Sequence, residues 1–165
     1  MQSRDRFGRT YRILQNSPGP GNPSAHLVCD GRTGRVLGGV GANFYRPWVF
    51  PLYTPAGLTV IQEFPYDHPF HNGIFVGQHP VNAGGRTGNF WAMPLRRSFD
   101  DAIQTKVGRM DVQGQPAADV GEEGVCFTFR SIWRDEDEQP LLDETRTIEF
   151  RATADATEGG PLPLR

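Results

Sequence analysis

Near the end of the chain, Val125, Phe127, Phe129 and Trp133 alternate with Cys126, Thr128, Arg130 and Arg134. Only an extended strand turns successive side chains to opposite faces, so this stretch reads as a strand with one apolar face. Asp135 to Pro140 follows as an acidic turn, its charge run reading as solvated, and Leu141 to Arg151 returns as a second strand. On the return strand Leu142, Glu144, Arg146, Ile148 and Phe150 share the more apolar face. A hairpin greasy on one side must bury that side against another layer, which points to packed antiparallel sheets. Glu144 and Arg146 interrupt the apolar row, and burying them is costly unless they pair or meet a ligand.

The rest of the sequence agrees with strands and turns. With 20 Gly and 14 Pro in 165 residues, the chain favours many short strands over helices. Ala25 to Cys29 and Arg35 to Val40 flank Asp30-Gly31-Arg32-Thr33-Gly34, a good hairpin turn. Asn43 to Tyr53 mixes aromatics with two prolines and reads as an edge strand or extended segment. Ile74 to Val76 is a short strand, Gly84 to Gly88 a loop, and Arg97 to Lys106 one short helical turn. His26 sits in an apolar strand and reads as structural. Residues 1 to 24 read as a flexible arm, 25 to 157 as one domain and 158 to 165 as a tail.

Several function classes are disfavoured. A net charge of -2, with the N-terminal Arg4, Arg6, Arg9 and Arg12 dispersed among polar residues, argues against a nucleic-acid partner. The first residues carry no apolar signal core, and no stretch approaches the roughly 20 apolar residues of a membrane helix. Cys29 and Cys126 are far apart and read as two lone thiols, with one disulfide as the alternative, and the expected compartment is the cytoplasm.

Chemistry concentrates between residues 64 and 79, where His68, His71 and His79 stand near Asp67. Imidazole changes charge near neutral pH and binds metals, and a neighbouring carboxylate can orient it. His71 and His79 would be roughly 26 Å apart on one extended strand. They can share an ion only if the chain reverses at Gly73 or Gly77. A divalent metal on His68, His71 and Asp67 or Glu63 is one reading. Metal-free acid/base chemistry is the other, with Glu144 or Glu63 as partner and Arg146 placing a substrate oxygen. The structural alternative makes Asp67 a turn cap, His68 a donor to a backbone carbonyl and Arg146 half of an ion pair.

Arg46-Pro-Trp-Val-Phe-Pro-Leu-Tyr-Thr-Pro-Ala-Gly57, then Asp67-His-Pro-Phe-His71, His79-Pro-Val-Asn82 and Asn89-Phe-Trp91 follow one another. This order resembles the soluble family labelled methane oxygenase PmoA-like, whose members typically read PLYTP-x-G, DHPHHR and HGDVNG. The chain differs from that pattern at Phe70, Asn72 and Asn89. The resemblance implies a β-supersandwich similar to galactose mutarotase-like proteins, here in a version shortened at its C-terminus, and a role in carbohydrate metabolism.

The expected protein is therefore an all-β antiparallel sandwich acting on a small carbohydrate or oxidised sugar, with oligomeric state open. As a lyase, epimerase or hydrolase it would use His68 and His71 as the acid/base pair and Asp67 as orienter. Glu144, Arg146, His79 and Trp91 would contact the substrate, with no cofactor or a divalent metal. A non-catalytic carbohydrate-binding or interaction module is the alternative, and metal-dependent oxygenase chemistry a third.

Overall fold

A computed structural model describes residues 4–16, 24–54, 57–68, 71–91 and 107–151. The described chain is all-β and antiparallel, as the alternation requires. Its strands are β1 (Tyr11–Gln15), β2 (Ser24–Asp30), β3 (Val36–Ala42), β4 (Pro47–Leu52), β5 (Ile74–Phe75), β6 (Val81–Ala83), β7 (Arg86–Gly88), β8 (Arg109–Val112), β9 (Ala117–Gly121), β10 (Gly124–Arg134) and β11 (Pro140–Arg151). The first five form a meander in sequence order. In a second sheet β10 lies between β11 and a split edge, with β8 beside its end and β9 beside its start. β6 and β7 make a separate hairpin that lies against β11.

The two larger sheets share one apolar core. Val28, Val40 and Leu52 of the first meet Val125, Phe127, Phe129 and Phe150 of the second. Phe127 and Phe129 are fully buried, each worth roughly 1.5–3 kcal/mol of transfer free energy. The sheets approach so closely at Gly38 that a Cβ there would lie 2.5 Å from the Phe150 ring. A smaller core of Phe90, Met110 and Trp133 fills the end nearer the β6–β7 hairpin.

β10 and β11 pair over their whole length, with Phe129 opposite Arg146 and Ser131 opposite Glu144. The Asp30–Gly34 turn forms as expected: Asp30 Oδ1 accepts from the Arg32 and Thr33 amides, and Gly34 takes φ 74. Cys29 and Cys126 are both free thiols, the former buried. His26 is buried edge-on to Phe127.

Other expectations are corrected. The supposed arm contains β1, which pairs with β2. Ahead of it, Asp5 is buried and accepts from the Tyr11 hydroxyl at 2.7 Å, and Arg6 pairs with Glu123. A tyrosine hydroxyl on a buried carboxylate and a surface ion pair together hold this segment. β4 is not an edge over Trp48 and Val49, because β5 covers those residues. Gly84 and Gly85 are a hairpin turn, each at positive φ, and the loop expected there is a strand pair. The acidic turn is not simply solvated. Asp135 is 4% exposed, held by Arg86 and by the Asp137 and Gln139 amides, while Glu136 accepts from the Asn89 amide. The helical turn expected at 97–106 and the tail at 158–165 lie outside the described residues.

Candidate functional site

The histidine-rich segment is a ribbon folded back on itself. Glu63 pairs with Asn72 in an antiparallel bridge, the Phe64 amide donates to His71 O at 2.8 Å, and the Gly73 amide donates to Gln62 O at 3.2 Å. Gly73 is required here: its φ is +59, and a Cβ would lie 2.2 Å from Val49 O. The chain reverses between residues 64 and 71. At the tip the His68 amide donates to Pro65 O and the His71 amide to His68 O. These tight turns stack the His68 and His71 rings at 4.8 Å and 27°.

Asp67, His68 and His71 thus come together. His68 Nδ1 donates to Asp67 Oδ2 at 3.1 Å, and both side chains are well exposed. That hydrogen bond holds the Asp67 carboxyl below the usual carboxylate range. Beneath His68, the His71 ring lies 5.3 Å from Phe75 and edge-on to Trp91 at 5.8 Å. Trp91 is 47% exposed, so the imidazole pair stands on an aromatic shelf open to solvent.

Arg46 completes the cluster, and sequence reasoning gave it no role. Its side chain is buried, with the guanidinium 4.4 Å from the Phe75 ring centroid. Burial lowers its pKa to about 10, which still leaves it cationic at neutral pH. His71 is pushed below the ordinary histidine value, first by burial, then by His68 and Arg46, with Asp67 opposing. At neutral pH His71 is therefore a neutral imidazole, able to accept a proton. A charged residue set between Tyr45 and Pro47-Trp48 at the mouth of an apolar strand was the available signal for Arg46.

The other expected site residues are elsewhere. Glu144 and Arg146 face inward but are engaged by each other and by their neighbours: Arg146 donates to Glu144 Oε1 at 2.6 and 2.9 Å, and Trp133 Nε1 donates to Glu144 Oε2 at 2.9 Å. Arg146 also reaches Pro47 O at 3.4 Å and Met110 Sδ at 3.6 Å. Their hydrogen bonds leave them one residue away from Arg46 along β4, without a bond to the imidazole pair. His79 is exposed, and no hydrogen bond or ring contact joins it to His68 or His71 among the described residues. Trp91 does belong to the cluster.

The metal reading meets a geometric obstacle. Ligand nitrogens must converge about 2.0–2.1 Å from one ion, whereas stacked rings present theirs in near-parallel planes. Asp67 is already engaged by His68. Among the described residues no group of three His, Cys, Asp or Glu side chains is placed to hold a metal ion.

An all-β antiparallel domain bearing a stacked imidazole pair, His68 exposed and His71 half-buried, is the class that fold and site define. The family model that matches, over residues 40–159, is described as a family of unknown function (DUF6807), and the chain belongs to that family. This corrects the resemblance to the methane oxygenase PmoA-like family, for which the family comparison shows no match. No curated protein and no solved structure matches the chain. Among the described residues no helix is long and apolar enough to cross a membrane.

Proposed function

We propose that this protein acts on a small carbohydrate or oxidised sugar by acid/base proton transfer at His68 and His71. The observation that carries this reading is the stack of two imidazoles on the exposed Trp91 shelf, with His71 held neutral and His68 oriented by Asp67. A neutral imidazole can take a proton from a carbon next to a carbonyl or from a sugar hydroxyl. The second imidazole, one ring away, can return a proton to the product. Sugars present C–H faces that lie well on an indole, so Trp91 supplies the platform. Such a site fits a lyase, an epimerase or a hydrolase. Two free thiols fit a reducing compartment, and we place the activity in the cytoplasm.

A specific observation favours the second reading, a non-catalytic carbohydrate-binding module. Glu144 and Arg146 are tied to each other and to Trp133, so they do not supply the imidazoles with a second carboxylate. Incubation with keto-sugars and uronic acids in heavy water separates the two. Deuterium entering the sugar, and failing to enter with His71→Ala, supports the enzyme. Binding with neither exchange nor any cleaved or isomerised product supports the module, and the absence of binding, exchange and product with any sugar rejects both.

A further inference from the structure

Beyond the imidazole pair, the chain leaving β4 builds a second concave surface. The Thr54 amide donates to Leu58 O at 2.7 Å and the Val60 amide to Leu52 O at 3.0 Å, so residues 57–63 are tied back along the strand end. Between this segment and the Phe50 and Tyr53 side chains lies an open groove of about 770 Å³. That volume is within the usual range for small-molecule sites. Its walls are mainly apolar, with Leu58, Val60 and Ile61 facing Phe50 and Tyr53, and Glu63 closes one end.

The polar end is unusual for a surface groove. Burial pushes the Glu63 carboxyl up from the ordinary glutamate value, while a hydrogen bond from the Trp48 indole opposes the shift. Directly paired strand residues set their Cβ atoms about 4.5–5.5 Å apart, so Asn72 stands beside Glu63. Asn72 itself is completely buried and is not among the residues that line the groove. A carboxyl at the end of an apolar groove can accept from a sugar hydroxyl.

We infer that this groove is a binding site for a neutral saccharide, with a sugar C–H face on Tyr53 and Val60 and ring hydroxyls at Glu63. An apolar wall with one carboxyl end suits a ligand with a C–H face and a hydroxyl edge. A carboxylate ligand would meet Glu63 as a like charge. The class of ligand rests on the carbohydrate reading proposed above, whereas the place of the groove does not.

The test is an NMR titration of the full chain with cellobiose, maltose and lactose, and with cellobionate as the anionic counterpart. The expected result is movement of the Leu58 and Val60 amides and the Trp48 indole signal with at least one neutral disaccharide, and weaker binding of cellobionate. Val60→Arg, a change at an exposed position that fills the groove, should weaken binding about tenfold or more. Glu63→Ala should do the same. Sugar-induced shifts confined to the His68 and His71 rings overturn the groove and leave the imidazole reading standing. Shifts confined to the groove keep this inference and count against the imidazoles. Silence at both places overturns both, and full affinity in Val60→Arg overturns the groove alone.

Discussion

Two polar clusters sit on aromatic ground in this protein, and they differ in how fully their hydrogen bonds are used. On β11, Glu144 and Arg146 are mostly buried, 20% and 12% exposed, and engage each other, Trp133 and Pro47 O. At the ribbon tip, Asp67 and His68 are 75% and 49% exposed, and His71 below them lies between a ring stack and a buried cation. The first cluster spends most of its hydrogen bonds within the wall. The second keeps exposed polar atoms and a base made neutral by its surroundings. Engagement by neighbours, more than residue type, separates an ion pair that holds a wall from a site that can do chemistry.

The largest test of that contrast is at the wall. Phe129 lies opposite Arg146 in the β10–β11 pairing and is 1% exposed. Phe129→Ala should lower stability by about 3–5 kcal/mol, measured by urea denaturation. A loss under 1 kcal/mol would show that the wall is not the rigid region described.

Next comes the ion pair itself. Arg146→Ala strands Glu144 among Trp133 and apolar neighbours and should cost about 2–3 kcal/mol, below the full range for a deeply buried pair because some solvent reaches both groups. Replacing both residues, Glu144→Leu with Arg146→Met, should recover most of that loss. If Arg146→Ala instead removes sugar binding at unchanged stability, the wall is part of the site and the contrast fails.

Acid should then act through the histidines held below their ordinary value. His26 is lowered by burial, and His71 by burial with His68 and Arg46. The unfolded chain takes up protons at these positions first. Their contribution to stability is therefore complete above the ordinary value of 6.5 and is lost as pH falls below it toward the folded values. Melting temperature should be flat above that point and decline beneath it, and His26→Gln should flatten the decline. A melting temperature that rises on acidification through this window would contradict the assigned directions.

The smallest stability change belongs at the tip. His68→Ala removes an exposed ring and should alter stability by about 0.5 kcal/mol or less, while abolishing proton exchange into a bound sugar. His71→Ala, deeper in the ribbon, should stay within about 1 kcal/mol. Unfolding in either variant would make that histidine structural and erase the difference between the two clusters.

The sequence by itself determined the strands whose evidence is local. Alternation over Val125–Arg134 and Leu141–Arg151 set the hairpin and its inner face, and Asp30 to Gly34 set a turn, because side-chain period and turn chemistry involve only near neighbours. It also singled out Asp67, His68 and His71 as chemically able, since they stand within five residues of each other. Only the tertiary structure decided what those groups meet. Arg146 finds Pro47 from 99 residues away and Asp135 finds Arg86 from 49, contacts that depend on which sheets and hairpins pack together. The same packing put Arg46 beneath Phe75, tied up Glu144, left His79 apart and set Asn72 beside Glu63. A residue type fixes which bonds a side chain can make, but burial and partners, which arise from pairings distant in sequence, fix which of them it has left to offer.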